Sequence, residues 1–356
     1  MLYLTAVAEP KARAVTRSNP GPLMIARQLP RIAIATGDPA GIGPEISLKA
    51  ALDAGVRAMC VPLLVGDPDV IRRHAQAAGL AVPIRVVAQA DEAAADNGAI
   101  VVLAVPFAQG ADFAFGAHDP NCGRATLAMA AHAIAAARAG AVDAVVAAPH
   151  NQTSIAAAGI AFDGYPGFLA RETGLDPHDV FMMLVFGETR IVHCTLHVGV
   201  AEALTLITRE RVVRAIQAAD AALRRLGIAR PRLCVGGVNP HAGEGGLFGR
   251  EEIEVVAPAI AAARAGGITV AGPFGCDTMF ARRDVDAFIV MLHDQGHIVA
   301  KLLAPNQSAA FAIGSSILFS SVAHGSAFDI AGKGIANPAA MIEAIARLAG
   351  VSRASA

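Results

Sequence analysis

The segment R-I-A-I-A-T-G-D-P-A-G-I-G-P-E, residues 31–45, sets the fold of this chain. Its apolar start predicts a buried strand over 31–36, and Pro44 suits the first turn of a helix. Glycines at 37, 41 and 43 let the backbone turn sharply between the two elements. A strand that passes through such a turn into a helix predicts the first βα unit of an α/β fold. The turn itself is either a plain connection or a loop that faces a polar or anionic ligand.

The same alternation continues along the chain. Short apolar runs alternate with alanine-rich stretches of helical periodicity, which is typical of a mostly parallel sheet buried between helices. Strands are predicted over 31–36, 60–66, 83–88, 99–104, 142–147, 179–185, 189–194, 231–236, 268–272 and 286–292. Helices are predicted over 45–54, 67–79, 123–139, 208–226, 249–266 and 338–349.

Composition excludes several classes of protein. Lys and Arg (29) nearly balance Asp and Glu (30), so no net field holds the chain on nucleic acid or an anionic membrane. No membrane span is expected, because an uninterrupted run of about 18 apolar residues is missing. The five cysteines form no C-x-x-C pair, which favours free thiols in a reducing, cytoplasmic setting. Residues 1–30 are predicted to form a disordered extension. The expected partner is a small molecule.

Three histidines stand where a predicted strand meets a loop: His197, His241 and His293. Ligands bind at the carboxyl ends of strands in α/β sheets. Three converging imidazoles would suit zinc or a similar divalent ion with one position open for substrate. Their spacings of 44 and 52 residues form no short-range motif, so polar or capping roles stay open. His297, one turn after His293, is either a neighbour of such a site or a helix-face residue.

The segment H-G-S-A-F-D-I-A-G-K-G-I-A-N-P, residues 324–338, is dense in glycine and small side chains. Small residues let a backbone approach a flat ligand closely. Asp329 would accept hydrogen bonds from a ribose diol. The segment is therefore a candidate nucleotide loop.

Polar residues at other loop starts are weaker candidates. Asp277 and Asp294 suit general acid–base work or the orientation of a ligand histidine, and Asp277 is also a candidate helix N-cap. Asn151 would bind a substrate carboxylate or cap a helix. Asp38, inside the glycine-rich turn, is a candidate substrate contact.

Together these motifs resemble the 4-hydroxythreonine-4-phosphate dehydrogenase family, from Arg31 to about Gly350. The segment 324–338 is also similar to the cofactor loop of isocitrate and isopropylmalate dehydrogenases. The matching pieces are G-D-P-A-G-I-G-P-E at 37–45, T-L-H at 195–197, N-P-H-A-G-E-G-G at 239–246, D-T-M-F at 277–280 and H-D-Q-G at 293–296.

The resemblance implies two α/β/α domains with mostly parallel sheets and a cleft between them, as in isocitrate and isopropylmalate dehydrogenases. An α/β domain over 31–150, completed by residues 325–350, would precede a metal, substrate and dimerisation domain over 151–324. The implied cofactor is NAD rather than NADP, because Asp329 would hold the adenosine ribose and repel a 2′-phosphate. Cofactor contacts would fall on His324, Gly325, Ser326, Ala327, Asp329, Gly332 and Asn337.

By the same resemblance, His197, His241 and His293 are ligands of a catalytic divalent metal. Zinc is the first choice, with cobalt, manganese or magnesium as alternatives. Lys301 becomes a catalytic residue that binds substrate. A homodimer with shared active sites is expected, because two subunits build each site in that family.

The chain departs from the family at its phosphate contacts. Where phosphohydroxythreonine enzymes have G-H-T-E, this chain has G-Y-P-G at 164–167, and the family's substrate Asn and phosphate Arg fall on Ala310 and Phe319. An apolar ring in place of an Arg clamp leaves a phosphate dianion poorly paired. We therefore expect a substrate without phosphate, with Tyr165, Pro166 and Phe319 at its pocket. Tyr165 alternatively fills a gap in the core.

A branch of the family, the terephthalate dihydrodiol dehydrogenases, is similar to this chain in A-F-D-G-Y-P at 161–166, H-D-Q-G-H at 293–297 and K-L-L-A-P-N at 301–306. This implies NAD-dependent oxidation of a carboxylated cis-dihydrodiol, followed by decarboxylation to 3,4-dihydroxybenzoate, with Lys301 paired to a carboxylate. The alternatives are a 4-hydroxythreonine-4-phosphate dehydrogenase of pyridoxal phosphate synthesis and an exported solute-binding protein.

Overall fold

The computed structural model describes residues 29–95, 98–108, 112–304, 308–322 and 324–350. The disordered extension predicted over 1–30 lies outside these residues, apart from Leu29 and Pro30. The strands are β1 (Arg31–Ala35), β2 (Val61–Gly66), β3 (Ile84–Val87), β4 (Ile100–Ala104), β5 (Ala144–Ala147), β6 (Phe181–Phe186), β7 (Thr189–His193), β8 (Arg232–Gly236), β9 (Thr269–Phe274), β10 (Ala287–Val290), β11 (Ala309–Ile313) and β12 (Phe319–Val322).

Several helices begin at an Asp, Asn or Thr whose side chain accepts an N–H of the first turn, as Asp67, Asn151 and Thr208 do. A π-helical turn, Glu252–Val256, precedes α9, and short 3-10 helices span Ala90–Glu92, Pro177–Asp179 and Pro240–Gly246. The α-helices are α1 (Gly43–Leu52), α2 (Ala54–Met59), α3 (Pro68–Ala77), α4 (Pro120–Arg138), α5 (Gln152–Ala157), α6 (Tyr165–Thr173), α7 (Val200–Leu206), α8 (Arg209–Arg225), α9 (Ala257–Ala265), α10 (Cys276–Met279), α11 (His293–Leu303) and α12 (Ala339–Ala349).

The strands form one sheet in the order β3-β4-β2-β1-β5-β12-β11-β6-β7-β10-β8-β9. Its antiparallel pairs are β11 with β12, β11 with β6 and β6 with β7, and the other described pairs are parallel. The reversal at its centre makes β7, β8, β9 and β10 run opposite to β1, β2, β3, β4 and β5. The carboxyl ends of these two sets therefore lie on opposite edges of the sheet.

The core lies on both faces of the sheet, because side chains alternate along each strand. In β1, Ile32 and Ile34 point to one face, and Ala33 and Ala35 point to the other. Helices α1, α2, α8, α9 and α12 cover the first face. On the second face, α4 and α6 cover the half of the sheet around β5, and α10 and α11 cover the half around β10.

The predicted α/β class with a mostly parallel sheet is confirmed, as are all ten predicted strands and the six predicted helices, within a few residues at their ends. The sequence analysis missed β11 and β12. Their sequences, A-A-F-A-I and F-S-S-V, are rich in small residues and carry little of the β-branched pattern that marks a strand. It also missed the shorter helices α2, α5, α6, α7 and α10, and α11.

The predicted division near residue 150 falls directly after β5, while the sheet itself continues across that point. The chain returns to the first half with α12, whose Met341 and Ile345 share a core with Ile46 of α1. The domain boundaries stay a prediction. In the part of the chain that the structure describes, no helix has the length and apolarity needed to cross a bilayer.

Close helix packing gives a first test. A Cβ added to Gly123 in α4 would lie 2.3 Å from the carbonyl oxygen of Ser154, which is backbone and cannot move aside cheaply. We expect Gly123→Ala to lower the free energy of unfolding by about 1–3 kcal/mol, measured by urea titration. Gly199→Ala is the control, because no atom lies within 4 Å of its added Cβ. Equal stability of the two variants would contradict the packing argument.

Candidate active site

One group of candidate residues lies at the carboxyl ends of β7, β10 and β8. These strands are neighbours and parallel, with Val290 opposite His193 and Ile289 opposite Val235. Gln295 joins two of the ends: its Oε1 accepts the N–H groups of Met291 and Leu292, both at 2.9 Å, and its Nε2 donates to the Gly237 carbonyl at 3.1 Å. The start of α11 is thereby tied to the end of β8.

His197 and His293 meet at this edge, with their ring centroids 5.4 Å apart. His293 begins α11, and its Nδ1 lies 2.7 Å from Oδ1 of Asp294. A carboxylate only accepts, so Nδ1 carries a proton, and in the neutral ring Nε2 then has the lone pair. Burial, with His293 beside it, lowers the pKa of His197. Both rings therefore suit coordination of a cation.

Two further histidines, His193 and His297, extend this group. His193 is fully buried at the end of β7, and burial lowers its pKa to about 3. His297 stacks on His293, and burial, followed by the nearby His293, lowers its pKa to about 4. His193 and His297 are therefore neutral at pH 7. The sequence analysis left His297 open and missed His193, whose position inside a strand gave no signal.

His241 lies apart from the other two predicted ligands. Its Nδ1 is 3.4 Å from Oε2 of Glu244, and its ring is 6.3 Å from that of Phe248. It belongs to a run with positive φ from His241 to Gly245, which is rare for residues other than glycine. The buried Glu252 fixes the start of the loop that carries His241. Its Oε1 accepts the N–H groups of Val238 at 2.7 Å and Asn239 at 2.8 Å.

The donor chemistry fits a divalent metal in part. Imidazole nitrogens are suitable ligands, and the structure brings His197 and His293 together. It does not bring His241 to them: within the described ranges, no three His, Cys, Asp or Glu side chains are grouped so that they could hold a metal ion. Within one chain, His197 and His293 thus lie together, and the third predicted ligand, His241, lies apart from them.

The predicted catalytic residues border these histidines. Lys301 lies two turns after His293 on α11, on the same helix face, and is exposed without an ion-pair partner among the described residues. Asp294 contacts His293, as the ligand-orienting alternative requires. Asp277, in α10, is exposed beside the loop of His241, since a Cβ on Gly275 would lie 2.5 Å from its Oδ1 and 3.4 Å from the His241 Cα.

The predicted nucleotide loop, residues 324–338, follows β12 and is fixed to α1. Lys49 donates from Nζ to the carbonyls of Gly334 at 3.0 Å and Ala336 at 2.8 Å, and it pairs with Glu45 at 2.7 Å. The same Oε1 of Glu45 accepts the Ala336 N–H at 2.8 Å. The sequence analysis missed both residues, although Glu45 four positions before Lys49 is a recognisable helical ion pair.

The glycine-rich turn at residues 37–43 also contacts the nucleotide loop. The N–H of Ile42, at the start of α1, donates to the Ser326 carbonyl at 2.9 Å. A Cβ on Gly41 would lie 2.8 Å from the Ser326 Cβ, so the two segments touch. The turn was interpreted either as a plain connection or as a loop that faces a ligand. Its packing against the nucleotide loop is a sufficient reason for glycine at position 41, and no ligand is needed to explain it.

Some of the predicted contact groups of the loop are accessible, and others, such as the buried Ser326, are not. Asp329 is exposed and has no partner among the described residues, and no atom lies within 4 Å of a Cβ added to Gly325. Asn337 accepts the Ala339 N–H at 2.9 Å, which caps α12. His324 and Ala327 lie on the same stretch, and a Cβ on Gly332 would clash with the ring of Phe115.

Tyr165 starts α6 inside a cluster of rings. Its centroid lies 5.1 Å from that of His150, 5.7 Å from Phe162 and 5.3 Å from Phe319. Its hydroxyl donates to the Ala148 carbonyl at 3.1 Å, and burial raises its pKa. Phe319 is 1% exposed. Pro166, next to Tyr165, is half-buried. Tyr165 thus lines the core as well as facing the half-buried His150.

Asn151 and Asp38 lie beside this cluster. Asn151 accepts the Ser154 N–H at 2.9 Å as the cap of α5, and its Nδ2 donates to Ser326 Oγ at 3.4 Å. The capping role is therefore present. Asp38 is fully buried; its Oδ1 accepts the Ala40 N–H at 2.8 Å, and its Oδ2 has no partner among the described residues. Burial raises the pKa of Asp38 to about 6.

The candidate residues thus form two groups. The histidine group lies at the carboxyl edge of β7, β10 and β8, and the nucleotide loop with Tyr165, Asn151 and Asp38 lies at the carboxyl edge of β1, β5 and β12. Among the described residues, no hydrogen bond, ion pair or ring contact joins the two groups.

Comparison with known proteins identifies the family. The family model described as pyridoxal phosphate biosynthetic protein PdxA matches residues 58–348. A 1,2-dihydroxy-3,5-cyclohexadiene-1,4-dicarboxylate dehydrogenase from Comamonas sp is 43% identical over 318 residues, covering 89% of this chain and 96% of that protein.

Solved structures agree with this match. A terephthalate 1,2-cis-dihydrodiol dehydrogenase from Burkholderia xenovorans LB400 is 45% identical with a TM-score of 0.71, covering 90% of this chain and 98% of that one. A 4-hydroxythreonine-4-phosphate dehydrogenase from Burkholderia phymatum is 37% identical with a TM-score of 0.83, covering 92% and 100%.

These findings define an α/β dehydrogenase. The chain belongs to the PdxA family, as its motifs predicted. A dehydrogenase of this family implies a nicotinamide cofactor and a divalent metal in general, and a small-molecule substrate.

The buried Asp38 gives a pH-dependent test. Its folded pKa of about 6 lies above the ordinary 3.8, so folding favours the protonated form. The contribution of Asp38 to the free energy of unfolding is most favourable below pH 3.8 and decreases as the pH rises to 6. Above pH 6, the buried carboxylate destabilises the folded protein by about 3 kcal/mol relative to its protonated form. We expect Asp38→Asn, which keeps the bond to Ala40, to stabilise the protein by about 2–3 kcal/mol at pH 8 and by much less near pH 4.

Urea unfolding at the two pH values measures this difference. Asp91→Asn is the control, because Asp91 is exposed and no pH-dependent gain is expected from it. A gain for Asp38→Asn that is the same at both pH values would contradict the shifted pKa.

Proposed function

We propose that this protein oxidises the cis-dihydrodiol of terephthalate, 1,2-dihydroxy-3,5-cyclohexadiene-1,4-dicarboxylate, with NAD and a divalent metal, and releases CO2 and 3,4-dihydroxybenzoate. The observation that carries the proposal is the buried ring of Phe319 against Tyr165, at the position where alignment puts the phosphate Arg of phosphohydroxythreonine enzymes. The similarity to the Comamonas and Burkholderia xenovorans dehydrogenases supports the same substrate.

The surroundings of Phe319 disfavour a phosphate. It pairs with Ala312 across the β11–β12 hairpin, and Ala310, where the family's substrate Asn falls, is an apolar position of the same hairpin. Asp38 lies close enough to Tyr165 to raise the pKa of its hydroxyl, after burial itself. A dianion here would meet a carboxyl group and two apolar side chains instead of a guanidinium.

The cofactor is held, in this proposal, by the nucleotide loop. Asp329 accepts the hydroxyls of the adenosine ribose, and its charge disfavours the 2′-phosphate of NADP. His324, Gly325, Ser326, Ala327, Gly332 and Asn337 line the same nucleotide. Because Lys49 and Glu45 already fix the loop, NAD binding carries only a small entropic cost for ordering it.

The metal is held by His197, His241 and His293, with zinc as the first choice. When bound, the ion lowers the pKa of the substrate hydroxyl and stabilises the negative charge that develops on its oxygen. The chain's own part is to hold the imidazoles in place: Asp294 accepts the Nδ1–H of His293, and Glu252 fixes the loop that carries His241. Asp277, beside His241, is placed to take a proton.

The reaction balances without a further oxidant. The C–H of the secondary alcohol leaves as hydride to NAD, and the hydroxyl proton is released, which gives a ketone next to the carbon that bears a hydroxyl and a carboxylate. This β-keto acid loses CO2, and the remaining ring becomes aromatic by a proton shift. Lys301 pairs with a substrate carboxylate.

The test is NAD reduction by the purified, metal-supplied protein with the terephthalate diol and, separately, with 4-phosphohydroxythreonine. Turnover of the diol with 3,4-dihydroxybenzoate as product is the expected result. The overall similarity to the Burkholderia phymatum enzyme favours 4-hydroxythreonine-4-phosphate dehydrogenation as the second candidate. Turnover of the phosphate ester alone would establish that candidate and overturn the argument from Phe319.

We also propose a homodimer that completes the site. Large apolar side chains are exposed around the histidine group, including Val200 at 68%, Leu247 at 72% and Leu302 at 76%. Exposed apolar surface of this extent is typical of an interface. Contact between two copies through it would bring the loop of His241 to the His197–His293 pair, and the histidine group of one copy to the nucleotide loop of the other.

A charge on this surface should separate the copies. We expect Leu302→Asp to weaken dimerisation by at least about tenfold, since a carboxylate would be desolvated at the interface. Light scattering across a dilution series measures the mass. Val86→Asp is the matched control, because Val86 is 47% exposed on β3, at the end of the sheet far from the histidine group. A wild-type protein that stays monomeric, or a variant as dimeric as wild type, would contradict the proposal.

A further inference from the structure

We propose that His297 is a positioning residue: its ring stacks face to face on His293 and fixes the plane in which His293 presents Nε2 to the metal. The inference rests on the metal site of the proposed function and extends it to a residue outside the predicted ligand set.

The contact between the two rings is close and parallel. Their centroids lie 3.7 Å apart, and their planes differ by 9°. His297 is one turn after His293 on α11, and its Nδ1 donates to the His293 carbonyl at 3.2 Å. This bond fixes the orientation of the His297 ring, so that its flat face, and not its edge, meets His293.

His297 is supported from behind by His193. The two centroids are 4.7 Å apart, and Nδ1 of His193 donates to the Met182 carbonyl at 3.4 Å. A Cβ on Gly296 would lie 2.3 Å from Nε2 of His193, so α11 can rest on this ring only because residue 296 is glycine. The half-buried His297 ring thus lies between the buried ring of His193 and the ring of His293.

His293 needs this support. Its Nδ1 contacts Asp294, which selects the tautomer, but the Asp294 side chain is 80% exposed and free to reorient in water. Rotation of the His293 ring is opposed by the face of His297 at 3.7 Å, and the ring of His197 lies 5.4 Å away. The bond to Asp294 determines which nitrogen is free, and the stack determines where that nitrogen points.

Variants of His297 separate the face of the ring from its nitrogen atoms. His297→Phe keeps a flat ring without nitrogen, His297→Leu fills the space without a flat face, and His297→Ala removes the contact. The metal-free proteins are titrated with Co2+ by its visible absorption and with Zn2+ in competition with a chelating dye. Thermal unfolding of the metal-free variants shows whether each one is folded.

We expect the dissociation constant of the metal to rise about 10- to 100-fold in His297→Ala and His297→Leu, and to stay within about threefold of wild type in His297→Phe. His132→Ala is the matched control: the Nδ1 of His132 makes the same bond to the carbonyl four residues earlier, Ala128 at 2.8 Å, on an exposed face of α4. No change in metal affinity is expected there.

Other outcomes overturn the inference in distinguishable ways. Equal losses in His297→Phe and His297→Ala would make a nitrogen of His297 the functional atom. Unchanged metal affinity in folded His297→Ala and His297→Leu would leave the stack without a role in metal binding. A wild-type protein that binds neither Co2+ nor Zn2+ would overturn the metal site of the proposed function itself.

Discussion

The pairing of β11 with β12 on one side and with β6 on the other is the constraint on which the rest of the molecule depends. Together with the antiparallel β6–β7 pair, they join two parallel sets of strands and make these sets run in opposite directions, because three reversals separate β12 from β7. Every loop at a carboxyl end is thereby assigned to one edge of the sheet or the other. The nucleotide loop and the histidine group are separated by this assignment, which is why a single chain shows two half-sites and why a second copy is part of the proposed function.

In both groups, polar side chains of the protein itself hold the loops in place. At one edge, the Lys49–Glu45 pair holds the backbone of the nucleotide loop through Gly334 and Ala336. At the other, Glu252 and Gln295 hold the ends of β8 and the start of α11 through backbone N–H and carbonyl groups. In both cases, buried or half-buried polar side chains form hydrogen bonds with backbone groups. The predicted contact residues, such as Asp329 and Lys301, are not needed for this and remain available to a ligand.

Much of the fold could be predicted from the sequence, because apolar runs separated by glycine, proline and helix caps are local signals. The strands β11 and β12 were missed because their small residues, in A-A-F-A-I and F-S-S-V, owe their strand conformation to neighbours far away in sequence. For the site, motif resemblance suggested the histidines, Lys301 and the nucleotide loop, and their roles stay predictions. It did not indicate His193, Glu252 or Lys49, because the roles of these residues depend on contacts with residues distant in sequence. The structure brings His197 and His293 together, while the left-handed loop holds His241 beside Glu244 and Phe248, so the set of three ligands stays a prediction.

The order of the strands also places β3 and β9 at the ends of a long sheet, where unpaired N–H and C=O groups can recruit strands from other molecules. Both ends carry features that resist this. The strand β9 contains Pro273, which has no N–H to donate, and β3 is only four residues long and includes Arg85. A protein with so apolar a composition would otherwise be prone to aggregate edge to edge. Because these features disfavour pairing at the strand edges, assembly of this chain is more favourable through other surfaces.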